Sequence, residues 1–236
     1  MRLFPWKPSL SGAAGTAAFD QLRARLEVEV VRPAVIGITS STAGDGKDIA
    51  ARGLAYSLAT AGYSTLLVYT SLTSLGSSKP PPGLTLEDIG RQVAPDPGTG
   101  NPAVLTLSDL LLQKTTSQRN LRSALEMLRS KFEYVVLDVE QGVSTSFATA
   151  IVGAADAVLV TVKTGRRAQA GDARLSADLE RVGVRFLGVL ALDGSIIRDD
   201  PTVIAAAPTN GELRRKPPHV NGELQGREAV DALWPN

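Results

Sequence analysis

At 236 residues, with 43% hydrophobic and 21% charged residues, the chain has the size and composition of one globular domain with some additional length. Lys+Arg 25 against Asp+Glu 24 leaves a net charge of +1, which excludes a protein that coats nucleic acid electrostatically. The absence of cysteine excludes a disulfide scaffold, a thiolate metal site and a cysteine nucleophile, and the single histidine, His219, cannot build a multi-histidine metal cage.

Met1 to Pro8 is too short and too interrupted by proline for a signal h-region, so a flexible N-terminal segment is expected over 1–16. Phe19 to Val30 predicts a helix, ended by Arg32-Pro33, and Ala34 to Thr39 predicts a buried strand. After the loop Ser40 to Gly46, Ala51, Leu54, Ala55 and Leu58 recur at helical spacing up to Gly62, and Ser64 to Tyr69 predicts the next strand. Strand, loop, helix, strand is one crossover unit of a parallel sheet. A loop over Ser71 to Gly83, a short helix over Thr85 to Val93 and a Pro/Gly stretch over Pro95 to Pro102 follow. Strands are then predicted at 103–107, 134–138, 157–162 and 185–192. They alternate with helices around Leu121 to Leu128 and over 147–152 and 169–182.

The alternation predicts an α/β domain over 17–192, a doubly wound, mostly parallel sheet with helices on both faces. Phe147 to Val162 carries Asp156 and is shorter than the ~20 apolar residues of a membrane span, so it reads as a buried helix and a strand. From Asp193 the periodicity dissolves into Pro, Gly, Asn and charge, which predicts a loosely structured tail over 193–236 with one short helix near Arg227 to Leu233. Together these features predict a cytoplasmic chain.

The chemistry-bearing segment is the loop after the first strand, Thr39-Ser40-Ser41-Thr42-Ala43-Gly44-Asp45-Gly46-Lys47-Asp48. A glycine-bearing loop between strand and helix lets backbone N–H groups converge on an anion, and the helix N-terminus adds its dipole. The phosphate-loop pattern is G-x-x-x-x-G-K-[ST]. Here Ser41 takes the first glycine position and Asp48 the hydroxyl position, where a carboxylate ~4 Å from a phosphate costs about 1–4 kcal/mol. The cofactor-binding candidates are Ala43, Gly44, Asp45, Gly46, Lys47, Asp48 and Ile49 of the loop, together with Asp138, which ends a strand. On the alternative reading, Gly44 and Gly46 only make the turn and Asp48 caps the helix.

From Ala17 to Leu192 the chain resembles the bacterial tyrosine kinases (BY-kinases) of capsule and exopolysaccharide export, within the MinD/ParA-like P-loop ATPases. Ile38 to Lys47 resembles their Walker A loop, Phe132 to Asp138 the lead-in to their Walker B motif D-x-P, and Ala154 to Val162 and Phe186 to Leu190 their later strands. The resemblance implies ATP or ADP with Mg²⁺ as cofactor, Asp138 at the Walker B position as the metal ligand, and a membrane adaptor of the chain-length-regulator type as partner, through which a cytoplasmic chain would sit peripherally at the inner membrane. It leaves self-association into a homo-oligomer open.

The departures lie at the chemistry. The family's D-x-D-x-R motif corresponds to Tyr69-Thr70-Ser71-Leu72-Thr73, Glu140 replaces the Walker B proline, and of E-x-x-R-x-x-R only Arg23 is kept beside Ala17 and Asp20. The asparagine expected near Leu192-Asp193 is missing, and Tyr56, Tyr63, Tyr69 and Tyr134 all fall in predicted core elements, leaving the tail without tyrosine.

Phosphoryl transfer rests on positioning and on electrostatic stabilisation by metal and cationic groups. The expected protein is therefore a degenerate BY-kinase-like component acting through partners, with weak or absent ATP hydrolysis. The alternatives are an active autokinase with Asp48 or Glu140 as metal ligands, and a MinD/ParA-like positioning ATPase. Among the remaining candidates, Arg166-Arg167 reads as an anion clamp or as a solvated pair. Arg214-Arg215-Lys216 is shorter than the about 4–8 basic residues of a lipid-binding patch. Trp6 and Trp234 read as partner anchors or as folded-back side chains.

Overall fold

A computed structural model describes residues 13–70, 93–95, 98–106, 118–143 and 146–193. The elements in order are α1 (Ala13–Glu29), β1 (Ala34–Ser40), α2 (Lys47–Thr60), β2 (Thr65–Tyr69), β3 (Ala103–Thr106), α3 (Gln118–Arg129), β4 (Tyr134–Asp138), α4 (Ser146–Val152), β5 (Ala157–Lys163), α5 (Ala170–Val182) and β6 (Phe186–Leu192). The strands form one six-stranded sheet in the order β3-β2-β4-β1-β5-β6, and every pairing is parallel.

The buried strands β1, β2 and β4 are covered on both faces, as near-continuous apolar runs in a parallel sheet require. Strand alternation sorts their side chains between two cores. Val35, Leu66, Val68, Val135, Leu137, Val158 and Val160 pack with α3, α4 and α5, and Leu121, Ala124, Leu125 and Leu128 supply the α3 stripe that the periodicity predicts. Ile36, Ile38, Leu67, Tyr69, Val136 and Leu159 pack with α1 and α2 on the opposite face. This is the doubly wound α/β architecture expected from the alternation. Strand ends agree with the sequence reading to within a residue or two, but α1 starts at Ala13 instead of Phe19, because the alanine-rich run ahead of Phe19 has high helix propensity.

The expected helix over 85–93 and loop over 71–83 fall largely outside the described residues, as does the tail with its expected short helix, His219, Trp234 and Arg214 to Lys216. Trp6 also lies outside them. Among the described residues, no helix is long and apolar enough to cross a membrane. Asp156, the acid within the apolar stretch, lies between α4 and β5. It accepts the Val35 amide at 2.6 Å and pairs with Arg129 at 2.9 Å.

The helix that carries the loop is fixed against α1 by Gly53, where a Cβ would overlap the Phe19 ring. Phe19 is buried, so the ring has little room to yield. Alanine at 53 gains about 1 kcal/mol of helix propensity, yet overpacking costs about 1–3 kcal/mol. Gly53→Ala is therefore expected to destabilise the protein by about 1–2 kcal/mol, read as a lower urea midpoint, and Phe19→Leu in the same chain should recover part of the loss.

Candidate functional site

Parallel register brings the carboxyl ends of β1, β2 and β4 together, with Ile38 and Tyr69 both directly opposite Asp138. This is the edge at which open α/β sheets bind ligands. The loop 41–46 leaves β1 at this edge and turns into α2. Gly44 and Gly46 both adopt positive φ, 81° and 78°, a region that side-chain-bearing residues rarely enter. Gly46 is the N-cap of α2 and no side chain caps the helix. The first-turn amides of a helix have no acceptor one turn back, and a helix N-terminus without a side-chain cap is a position that suits an anion. Within the loop the Asp45 N–H already donates to the Thr42 carbonyl at 3.4 Å.

Two charge pairs are built on this frame. Lys47, the first residue of α2, places Nζ 2.6 Å from Asp138 Oδ1. Asp138 is fully buried, and its backbone is pinned by Thr70, whose Oγ1 and N–H both donate to the Asp138 carbonyl at 2.7 and 3.2 Å. Burial pushes the Asp138 carboxyl above its ordinary range, and the Lys47 ammonium opposes that rise. Oδ2 of Asp138 is buried without a hydrogen-bond partner.

The second pair is Asp48 with Arg52, whose NH2 lies 3.9 Å from Asp48 Oδ2, one helical turn on. Arg52 is only 7% exposed. Its guanidinium leans toward the helix N-terminus, as helical side chains do, and hydrogen-bonds the Tyr69 side chain. Burial raises the Tyr69 phenol well above its ordinary value, against the pull of Arg52. Asp48 is thus neither an N-cap nor a free carboxylate.

On the β5 side, Arg166 ties the loop to α5. Its guanidinium donates to both carboxylate oxygens of Asp172 at 2.8 and 2.6 Å, to Asp45 Oδ1 at 3.0 Å and to Ser41 Oγ at 3.1 Å. Ser41 Oγ also donates to Asp172, which accepts the Gln169 amide at 2.8 Å, and the Lys163 amide donates to Asp45 at 3.2 Å. Burial raises the Asp45 carboxyl and outweighs Arg166 and the Lys163 amide. Burial also acts upward on Asp172, but Arg166, Ser41 and the Gln169 amide together hold it below the ordinary carboxylate range.

The structure therefore brings Gly44, Gly46, Lys47, Asp48 and Asp138 to one edge, with Ala43 exposed beside them. Asp45 turns its side chain into the Arg166 network, and Ile49 buries its side chain in the core, so each can contribute only backbone to a ligand. Arg166 is neither the anion clamp nor the solvated arginine expected from its sequence context, because acceptors within the protein surround its guanidinium. Arg167 is exposed. Sequence reasoning missed Arg52 and Asp172. The i, i+4 spacing of Asp48 and Arg52 was a visible signal, as was the third-position acid after Gln169.

The loop fits a phosphate group, but the residues around it do not fit the divalent ion that accompanies nucleotides in phosphate-loop proteins. The position that should offer a neutral hydroxyl carries a carboxylate already paired with a buried cation. An ion held on Asp48 at the ~2.1 Å of magnesium would stand within ~6 Å of the Arg52 charge. That repulsion, about 5 kcal/mol at an effective dielectric of 20, takes away part of the attraction that Asp48 offers the ion. Asp138 has only Oδ2 uncommitted, and no cluster of three acidic or histidine side chains that could hold a metal occurs among the described residues.

No protein-family model matches the chain. The tyrosine-protein kinase CpsD of Streptococcus pneumoniae is 27% identical over 176 residues, covering 66% of this chain and 74% of that kinase. The kinase domain of the Escherichia coli tyrosine kinase ETK superposes with a TM-score of 0.62 at 17% identity, covering 82% of each chain. The VpsO kinase domain superposes with a TM-score of 0.58 at 19% identity, covering 76% of this chain and 95% of its own. The chain is a divergent homologue of CpsD and has the P-loop fold of the bacterial tyrosine kinase domains.

Proposed function

We propose that this homologue of the bacterial tyrosine kinases is a component of a capsule or exopolysaccharide system that acts mainly through partner binding. A membrane adaptor of the chain-length-regulator type is the proposed partner. The phosphate loop holds a nucleoside di- or triphosphate and turns it over weakly or not at all.

The observation that carries this reading is the double commitment of charge at the loop. Lys47 is paired to Asp138 at 2.6 Å, and Asp48, 3.9 Å from Arg52, puts a charge where phosphoryl transfer needs a neutral hydroxyl. The tyrosines support it: Tyr69 and Tyr134 are buried, Tyr56 and Tyr63 are half-buried, and the segment after Asp193 contains none.

Phosphate release from ATP with magnesium, compared between the wild type and Lys47→Met, tests the reading. The two should give the same background rate. Steady turnover that the substitution abolishes, or phosphotyrosine on the purified protein, would favour an active autokinase instead.

A further inference from the structure

The position of Arg52 bears on what the loop binds. Its guanidinium lies where the α2 terminus meets the strand ends, against Asp48 and Tyr69, and close enough to oppose the burial-driven rise of the Asp138 carboxyl. Four charges meet there: Lys47 and Arg52 positive, Asp48 and Asp138 negative. They cancel in the free protein, so no net negative field remains to draw in a divalent cation. The positive-φ glycines at 44 and 46 and the α2 N-terminus, which no side chain caps, still favour an anion.

Arg52 is also buried, only 7% exposed. A metal on Asp48 would have to coexist with it.

Resting on the nucleotide-holding reading above, we infer that Arg52 replaces the divalent cation at this site, so that the loop takes a nucleoside diphosphate or triphosphate in metal-free form. Arg52 offsets the repulsion that the Asp48 carboxylate, 3.9 Å away, would exert on a phosphate.

Calorimetric titration of the full chain with ADP, in excess magnesium or in EDTA, tests this. The wild type should bind with affinities within about threefold of each other in the two conditions. Arg52→Gln should weaken binding in EDTA at least about tenfold and create dependence on magnesium, because the Asp48 charge is then uncompensated. A purely structural role for Arg52 would not move the metal dependence.

Asp48→Asn, at a half-exposed position, gives an answer even if the Arg52 variant fails to fold. It should tighten ADP in EDTA by about three- to tenfold; unchanged or weaker binding overturns the inference. Magnesium tightening wild-type binding by about tenfold or more overturns the inference and leaves the nucleotide-holding reading standing. No binding in either condition overturns both.

Discussion

Arg166→Ala is expected to destabilise the protein by about 3–5 kcal/mol at neutral pH, the cost of leaving buried carboxylates without their cation. Asp172 is fully buried and Asp45 2% exposed, and the Arg166 side chain that neutralises them is itself 12% exposed, so solvent can compensate little. The pH dependence should identify the cause. Asp172 has a folded-state pKa below the ordinary carboxylate range, so its contribution to wild-type stability is present above that range and is lost as pH falls through the lowered value. Asp45 has a raised pKa. Its ionisation already opposes folding as pH rises through that value, and without Arg166 it opposes folding more. The deficit of Arg166→Ala should therefore be largest near neutrality and shrink as the pH is lowered and both carboxylates protonate. Urea denaturation across pH measures it, and a deficit independent of pH would contradict this account.

Lys47→Met should cost about 3 kcal/mol at neutral pH, because Asp138 is left charged in a fully buried position. The sign follows from the raised pKa of Asp138. A carboxyl raised on folding favours the folded state below its unfolded pKa, and that advantage is lost as pH rises through the folded value. Without the ammonium the folded value rises further, so the variant should regain stability on acidification. Asp138→Asn added to Lys47→Met should restore most of the loss at neutral pH, since a neutral amide of the same shape has no charge to compensate. If the double variant is no more stable than Lys47→Met alone, the charge argument fails and the lysine stem is contributing through packing.

The loss in Lys47→Met also bears on the functional assay. A protein weakened by about 3 kcal/mol needs its folded fraction checked by circular dichroism before any change in turnover is assigned to chemistry.

Fold and loop were legible because their signals are local. Alternating apolar strands and helices at a period near 3.6 announce a parallel sheet covered on both faces, and the glycines at 44 and 46 announce a turn that other residues rarely make. The missing acids at Tyr69 to Thr73 and the carboxylate at Asp48 were readable in the same way, as letters at positions of a motif. Asp138 was legible as a strand-terminal acid, but its partner was not. The register that sets Tyr69 and Ile38 beside it, and the reach of Lys47 across 91 positions of chain, arise from strand pairing between distant segments.

The sequence by itself determined the doubly wound α/β domain, the phosphate-type loop and its chemical departures, since each follows from residue type and short-range spacing. Tertiary structure decided where each charge goes: Asp48 to a buried Arg52 instead of a cap, Asp45 to the Arg166 network instead of the loop mouth, and Arg166 to Asp172 instead of solvent. The physical reason is that a charged side chain shows neither its burial nor its partner in its own letter. Both are set by which segments the sheet brings together, and for a charge removed from water they determine whether it binds a ligand or holds the fold.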